Sequence, residues 1–456
     1  MKIAIALVLL VLGSLVFHFA SPWYFTPIAS NWDTIDTTID ITFWVTGFVF
    51  VAVNLFLAYV IMAYRHKKNR KARYDPENKK LEVGLTIFTA VGVATMLAPG
   101  LFVWAKFIEV PKEAHVVEAV GQQWRWMFRL PGEDGVLGKS DPVHINPSNP
   151  FGLDPRDPAG QDDLLVESDE LHLPHNKPVK VELRSTDVLH NFAVPQFRVK
   201  MDLVPGMITY VWFTPTKEGT YEILCEELCG LAHFTMRGHV VVEDENSYNQ
   251  WLASQKSFAQ SLQITSGDAA KGQALYAVCG ACHGATGEGN VAMNAPALSG
   301  QPDWYLTSQL HYYKKGIRGS HKDDTLGQQM AAMSATLADD AAINDVVAYI
   351  NQLSPTVGEK TITGNPARGE KYYVTCATCH GQNGEGNFGL KAPRLTGQHD
   401  WYIKRQLENF KAGIRGSHSD DLFGLQMRLM SQILQDEKAM DDLVAYLNTL
   451  PAPKPH

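Results

Sequence analysis

No cysteine in this chain is left over. The 456 residues hold six, and all stand in two kinds of cluster: Cys225 and Cys229 in CEELCGLAHFTM, then Cys279, Cys282, Cys376 and Cys379 in two copies of C-x-x-C-H. None remains for a disulfide or a lipid-anchored N-terminus, so the thiols handle metals or cofactors rather than staple loops. Basic charge is also short: 40 Lys and Arg against 48 Asp and Glu give a net −8. That balance leaves no footprint for nucleic acid. The average hides a polarised chain, because the apolar residues crowd toward its start.

Ile41 to Ala63 and Val83 to Ala105 carry no charged residue. Each is long enough to cross a hydrocarbon core of about 30 Å. The segment between them, YRHKKNRKARYDPENKK, is dense in Lys and Arg, whereas the stretch before Ile41 has Asp33, Asp36 and Asp40 and neither Lys nor Arg. The positive-inside rule puts the basic loop in the cytoplasm and everything after about Lys106 on the other side. Ile3 to Ala20 is a third apolar run. It reads as a signal peptide or an extra span; HFA-S lacks the small residue expected three places before a cleavage site, and an uncleaved helix fits the same topology.

After Glu113 the pattern changes to short β-rich runs, HVVEAV, VKVELR, ITYVWFT, TYEILC and GHVVVE, separated by turn formers. They predict an antiparallel sandwich or barrel. PGEDGVLGKSDPVHINPSNPFGLDPRDPAGQDD reads as a long surface loop. Beyond a helical connector near SYNQWLASQ the chain repeats itself: ALYAVCGACHGATGEGN answers KYYVTCATCHGQNGEGN, DWYLTSQL answers DWYIKRQL, and KKGIRGSH answers KAGIRGSH. The offset is 97 throughout (283 to 380, 304 to 401, 330 to 427). With no insertion or deletion, these are two domains of one fold. Asp268 and Asn365 stand where each first helix needs a cap, with Pro366 at the first helical position. The stripes Ile343, Val346, Val347, Ile350, Leu353 and Met440, Leu443, Val444, Leu447, Leu450 close each copy as a core-facing helix.

Cys279, Cys282 and His283, and again Cys376, Cys379 and His380, form covalent c-type haem attachment sequences. Two thiols three residues apart reach both vinyl groups and leave the next imidazole under the iron. A zinc knuckle would want further Cys or His ligands nearby, and a thiol redox pair would not need the His to recur. For the sixth iron ligand, Met293 maps to Leu390 and His311 to Glu408, so neither recurs. Met330 and Met427 match, as do Met333 and Met430, and His321 and His418. Met330 and Met427 lie seven residues before Leu337 and Leu434, the spacing common in small cytochromes c, and are preferred; Met333 and Met430 stay open as alternatives. A carbonyl at Pro296 and Pro393 would hold each proximal ring.

In the run from Cys225 to Met236, thiolate, thioether and imidazole together favour copper. Cys225 and Cys229, four apart, can bridge two copper ions, with His233 and Met236 capping from the same loop and His190 supplying the missing imidazole. A mononuclear blue-copper site needs one Cys, and structural zinc usually shows C-x-x-C.

HNFAVPQFRVKMDLVPG followed by CEELCGLAHFTM resembles subunit II of haem–copper cytochrome c oxidases, over roughly Ile41 to Glu243. The two haem domains resemble the extra cytochromes of caa-type oxidases. The resemblance implies membrane helices, an all-β cupredoxin sandwich holding binuclear CuA, and two tandem all-α class I cytochrome c domains. Its expected partition is 1–20 leader or extra helix, 21–110 helical hairpin, 113–255 cupredoxin domain, 266–355 and 363–456 cytochrome c domains. Carried over, the copper ligands are His190, Cys225, Cys229, His233, Met236 and the main-chain carbonyl of Glu227, whose side chain would touch magnesium at the contact with subunit I. GQQWRW places Trp124 as the electron-input residue, and LEVGLT places Glu82 at the mouth of a proton channel, although the family often has Trp where Leu85 stands. Implied partners are subunit I, subunit III, an electron-donating cytochrome or quinol-oxidising complex, and lipid of a bacterial inner membrane. The chain has no bundle of His-bearing membrane helices, so oxygen reduction and proton pumping would sit in another subunit. A nitric oxide reductase subunit, a copper-assembly protein and a nitrous oxide reductase are the competing readings. The haem repeat counts against the second and the membrane hairpin against the third.

Overall fold

The computed structural model describes all residues except 22–24, 69–70, 72–75, 146–148, 167, 263–266 and 452–456. The chain divides into two compact units. The first begins with three helices, α1 (Lys2–Ala20), α2 (Asp33–Ala63) and α3 (Lys79–Ile108), each long and apolar enough to cross a bilayer. Their large side chains point outward: Phe48 is 74% and Phe88 77% exposed. Water would not tolerate so much contiguous apolar surface, whereas lipid does. The run expected as a leader or third span forms α1, which packs along α2. Asp33 and Asp36 occupy the first turn of α2, where the helix dipole favours negative charge, and Asn78 caps α3 by accepting the Leu81 N–H. Part of the basic loop, at 69–70 and 72–75, lies outside the described residues.

The β-strands follow: β1 (His115–Gln122), β2 (Arg125–Leu130), β3 (Leu164–Val166), β4 (Glu170–Pro174), β5 (Val179–Ser185), β6 (His190–Val194), β7 (Val199–Leu203), β8 (Thr209–Phe213), β9 (Gly219–Leu224) and β10 (Arg237–Glu243). In one sheet β3, β2, β1, β5 and β8 lie side by side in that order, and in the other β4, β10, β9, β6 and β7. On β5 the period of two is clean, with Val179, Val181 and Leu183 buried between Lys180, Glu182 and Arg184. Each sheet is mixed rather than antiparallel: β1 runs parallel to β5, and β4 to β10. The antiparallel expectation assumed that neighbours in sequence pair. Here β4 departs to the other sheet before β5 returns beside β1, and that crossing sets the strand direction. Helix α4 (Glu245–Ser254) follows β10, capped by Asp244.

The strands are fastened to the helices. Arg198 donates to Asp36 on α2 (2.6 and 2.8 Å) and to the Thr26 carbonyl (2.6 Å). Trp32 donates to the Trp212 carbonyl (2.9 Å), Tyr210 to that of Ile108 (3.0 Å) and Trp212 to that of Lys106 (3.3 Å). The start of α2 and the end of α3 therefore meet the same body, which leaves Ala63 and Lys79 at the far ends of those helices. The long segment before β3 is more than a solvated loop: Phe151 and Leu153 are fully buried, and Asn149 brackets Leu153 through its N–H and carbonyl. Turn-forming composition hid these anchors.

In the second unit a short α5 (Phe258–Leu262) precedes two four-helix repeats: α6 (Ala269–His283), α7 (Asp303–Lys314), α8 (Thr325–Ser334) and α9 (Asp340–Ile350), then α10 (Pro366–His380), α11 (Asp400–Lys411), α12 (Leu422–Ser431) and α13 (Glu437–Leu447). Asp268 caps α6 and Asn365 caps α10, as expected. The two predicted stripes are core: Ile343, Val346, Val347 and Ile350 pack with Tyr276 and Leu306, and Met440, Leu443, Val444 and Leu447 with Tyr373 and Ile403. The first and last helices of each repeat cross closely. A Cβ on Gly272 would stand 1.9 Å from the Asp345 carbonyl oxygen, and one on Gly369 1.9 Å from that of Asp442.

Candidate metal centre and haem sites

His190 opens β6 and is fully buried. Its Nε2 lies 2.8 Å from Asp187 Oδ1, and its Nδ1 faces Cys225 Sγ at 4.0 Å. A proton on Nε2 is donated to the carboxylate, which leaves the Nδ1 lone pair toward the thiol. Burial of Asp187 opposes its ionisation, but His190 and the N–H groups of Gln123 and Val188 hold the carboxyl below its ordinary range. The Cys225 thiol sits 3.3 Å from the Glu227 carbonyl oxygen. Further along the loop Cys229 Sγ is 3.4 Å from His233 Nδ1 and 3.9 Å from Met236 Sδ. One ligand atom each from His190, Cys225 and Cys229 falls within 4.8 Å of the other two, and all three residues are buried. The sulfur atoms are buried, although Leu228, Leu231 and Phe234 of the same loop are exposed, and sulfur with imidazole nitrogen is a donor set that suits copper.

Asp187 was missed in the sequence. It stands three residues before His190 in DVLH, on the same turn, and that proximity was the available signal. It also joins two sequence-predicted sites, because its Oδ2 accepts the Gln123 N–H (2.7 Å) next to Trp124. Trp124 itself is buried, at 4% exposure. Glu82 is exposed in the first turn of α3, on the membrane hairpin rather than in the β-sheets.

In the repeats, His283 and His380 each end a helix, and Gly284 and Gly381, at φ of 82° in both, turn the chain away. His283 Nδ1 lies 2.8 Å from the Pro296 carbonyl oxygen, and His380 Nδ1 2.8 Å from that of Pro393. The carbonyl contacts expected at these two prolines are present. Burial pushes both imidazoles below their ordinary pKa, which keeps them neutral, with Nε2 free to ligate. Burial also pushes the Cys376 thiol up to about 12 and Cys379 to about 11. Met427 packs against the same core as Cys376, and Met330 is half-buried while Met333 is 38% exposed.

Such a chain is a membrane-anchored electron-transfer protein, with a soft-ligand metal centre on β-strands and two haem-type helical repeats. Residues 115–244 match the family described as cytochrome c oxidase subunit II, periplasmic domain, and residues 269–354 and 366–451 match cytochrome c. The alternative cytochrome c oxidase subunit 2 of Bradyrhizobium diazoefficiens is 59% identical over 57% of this chain and 94% of its own. Cytochrome c oxidase subunit 2 of Cereibacter sphaeroides is 31% identical over 46% and 74%, and cytochrome c4 of Azotobacter vinelandii 37% identical over 35% and 80%. The chain belongs to the cytochrome c oxidase subunit 2 family and carries two cytochrome c domains behind the subunit's periplasmic domain. It is thus a component of an oxidoreductase, and its family and domains imply CuA copper and haem c.

Proposed function

We propose that the chain is subunit II of a caa-type cytochrome c oxidase in a bacterial inner membrane. It would take electrons from a donor cytochrome or quinol-oxidising complex through its two haem domains and copper centre to subunit I, where oxygen is reduced to water with proton pumping. The observation that carries this reading is the combination of the His190–Cys225–Cys229 cluster with two haem attachment sequences in strict register. The domain partition read from the sequence is retained, with subunit III as a further neighbour.

When bound, the copper pair and the two haems c supply one-electron redox centres. His190, Cys225, the Glu227 carbonyl, Cys229, His233 and Met236 would hold the copper, and the Glu227 side chain a magnesium ion. Asp187 fixes the His190 tautomer and ties that ligand to the Trp124 turn, which supports Trp124 as an electron-input residue. The carbonyls of Pro296 and Pro393 accept a hydrogen bond from Nδ1–H of each proximal His, leaving Nε2 for iron. Met330 and Met427 as thioether ligands would raise the potentials. Glu82, exposed at the start of α3, would take up protons from the cytoplasmic side. Tethering replaces diffusional docking of a donor with an effective concentration in the millimolar range.

The test is oxygen uptake by the purified complex with an artificial donor and no added cytochrome c. Uptake should proceed, and should collapse in a C279A/C282A variant. Unchanged uptake in that variant would defeat the relay. Extracting the partner's haems and metals separates an oxygen-reducing site from the haem and non-haem iron of a nitric oxide reductase.

A further inference from the structure

In the first repeat the chain after His283 folds back onto that histidine through two peptide groups. The Glu288–Gly289 peptide gives its N–H to the His283 carbonyl (2.8 Å), and the Pro296–Ala297 peptide accepts from Nδ1 of the ring (2.8 Å). The other side of each peptide is held from the second repeat. His399 Nε2 lies 2.8 Å from the Glu288 carbonyl oxygen. Gln398 Oε1 accepts the Ala297 N–H (3.0 Å), and its Nε2 donates to the Ala297 carbonyl (2.8 Å). His399 is only 7% exposed, and its Nδ1 accepts the Glu359 N–H (3.1 Å), so the ring proton sits on Nε2 as the donor to Glu288. A Cβ on Gly289 would stand 2.7 Å from His399 Nε2, and only glycine allows so close an approach. Arg405 adds a bond to Asn294 Oδ1 (2.8 Å).

The sequence does not supply the same hold in the other direction. At the offset of 97, His399 answers to Pro302, whose side chain has no donor, Arg405 to Ser308, and Asn294 to Lys391. Ser308 gives its hydroxyl proton to the Tyr305 carbonyl within its own helix (2.9 Å). Gln301 matches Gln398, but it donates to the Arg394 carbonyl (3.1 Å), one peptide beyond the Pro393 carbonyl that faces His380. An amide whose N–H is hydrogen-bonded is a stronger acceptor at its carbonyl, because bonds in a chain polarise one another. Gln398 therefore acts on the His283 ring through a single peptide group. A ring whose Nδ1–H is held more strongly is a more basic ligand at Nε2.

We infer that Gln398 and His399 of the second repeat are positioning residues for the proximal imidazole of the first haem, bracing the two peptides that hold His283. Pro302 denies His380 the matching brace. A more basic imidazole favours the oxidised iron, so the brace sets the potential of the first haem below the value its own repeat would give. The two haems are thus made unequal by residues that belong to only one of them. The inference rests on haem c binding by both repeats, and not on the identity of the oxidase partner.

The experiment is a potentiometric titration of both haems in the full-length protein within its complex, with covalent haem counted on each sample. Hydrogen–deuterium exchange of residues 284–298 and 381–395 is read by mass spectrometry on the same material. Backbone φ at His399 is −59°, the value at Pro302, so His399→Pro fits the chain. In His399→Pro and in Gln398→Leu, one midpoint should rise by about threefold in the reduced-to-oxidised ratio at fixed potential, or about 28 mV at about 59 mV per tenfold. The other midpoint should stay, and exchange should quicken in 284–298 but not in 381–395. His399→Gln, whose amide reaches about as far as Nε2, should keep both midpoints and both exchange rates near wild type. Equal movement of the two midpoints would mark a general loosening of the seam and overturn the inference, as would no movement in either or faster exchange in 381–395 alone. A count below two covalent haems in the wild-type protein would instead sink the underlying haem assignment.

Discussion

Met330 and Met333 differ by one helical turn and by their surroundings, and the sequence alone left the choice between them open. Half-burial of Met330 against 38% exposure of Met333 favours the first. Met330→Ala should lower the midpoint of the first haem by at least about tenfold in its reduced-to-oxidised ratio, and should open the iron to added imidazole. Met333→Ala should do neither; absorption and potentiometric titrations read both effects. At this scale the sequence was most informative where ligand chemistry fixes spacing, as in C-x-x-C-H and C-x-x-x-C. It was least informative where a contact joins distant residues. Arg318 and Arg415 stood in the repeated GIRGSH motif, yet their partnership with Tyr402 and Tyr305 needs the fold.

Among the elements, the two repeats are near copies, but the connection between them belongs to the second. Asp400 at the start of α11 is fully buried. It accepts from Thr361 N (2.5 Å), Ile362 N (2.7 Å), the Thr361 hydroxyl (2.9 Å) and Asn448 Nδ2 (3.1 Å). Its counterpart Asp303, 97 residues earlier, is exposed. Burial opposes ionisation of Asp400, but the N–H donors of Ile362, Asn448 and Thr361 hold its carboxyl below the ordinary range. A folded pKa below the unfolded one gives stability that is complete above about pH 4 and is lost as pH falls through the folded value. Asp400→Asn should therefore destabilise the second repeat by about 1–3 kcal/mol at pH 7, with the gap from wild type narrowing in acid. Thermal melts at pH 7 and pH 3 check this. The helices, caps and core stripes of both repeats were legible, because periodicity and capping are local signals. The tether was not, since an Asp in DWY looks the same whether it faces water or the N–H groups of a linker.

For the whole molecule, sidedness follows from where the strands are fastened. The start of α2 and the end of α3 both meet the β-sheets, so Ala63 and Lys79 lie at the opposite ends of the helices from the sheets. All six native thiols stand in ligand or attachment positions, which leaves a clean background for a new one. Lys112→Cys should react with a membrane-impermeant maleimide in intact spheroplasts, and Lys67→Cys only after the membrane is opened. Labelling of Lys67→Cys from outside would reverse the topology. The charge asymmetry of the loops predicts which end of the helices faces the cytoplasm, and this labelling tests it. The mixed sheets were not readable, because strand direction depends on which sheet the chain visits between two strands.

The attachments of Arg198, Trp32, Tyr210 and Trp212 reach two different helices. A body pinned to the ends of two rods cannot swivel about the axis of either. His190 and Cys225 then keep one bearing with respect to whatever flanks α2 and α3 in the bilayer, so alignment is built into the chain instead of being regained at every encounter.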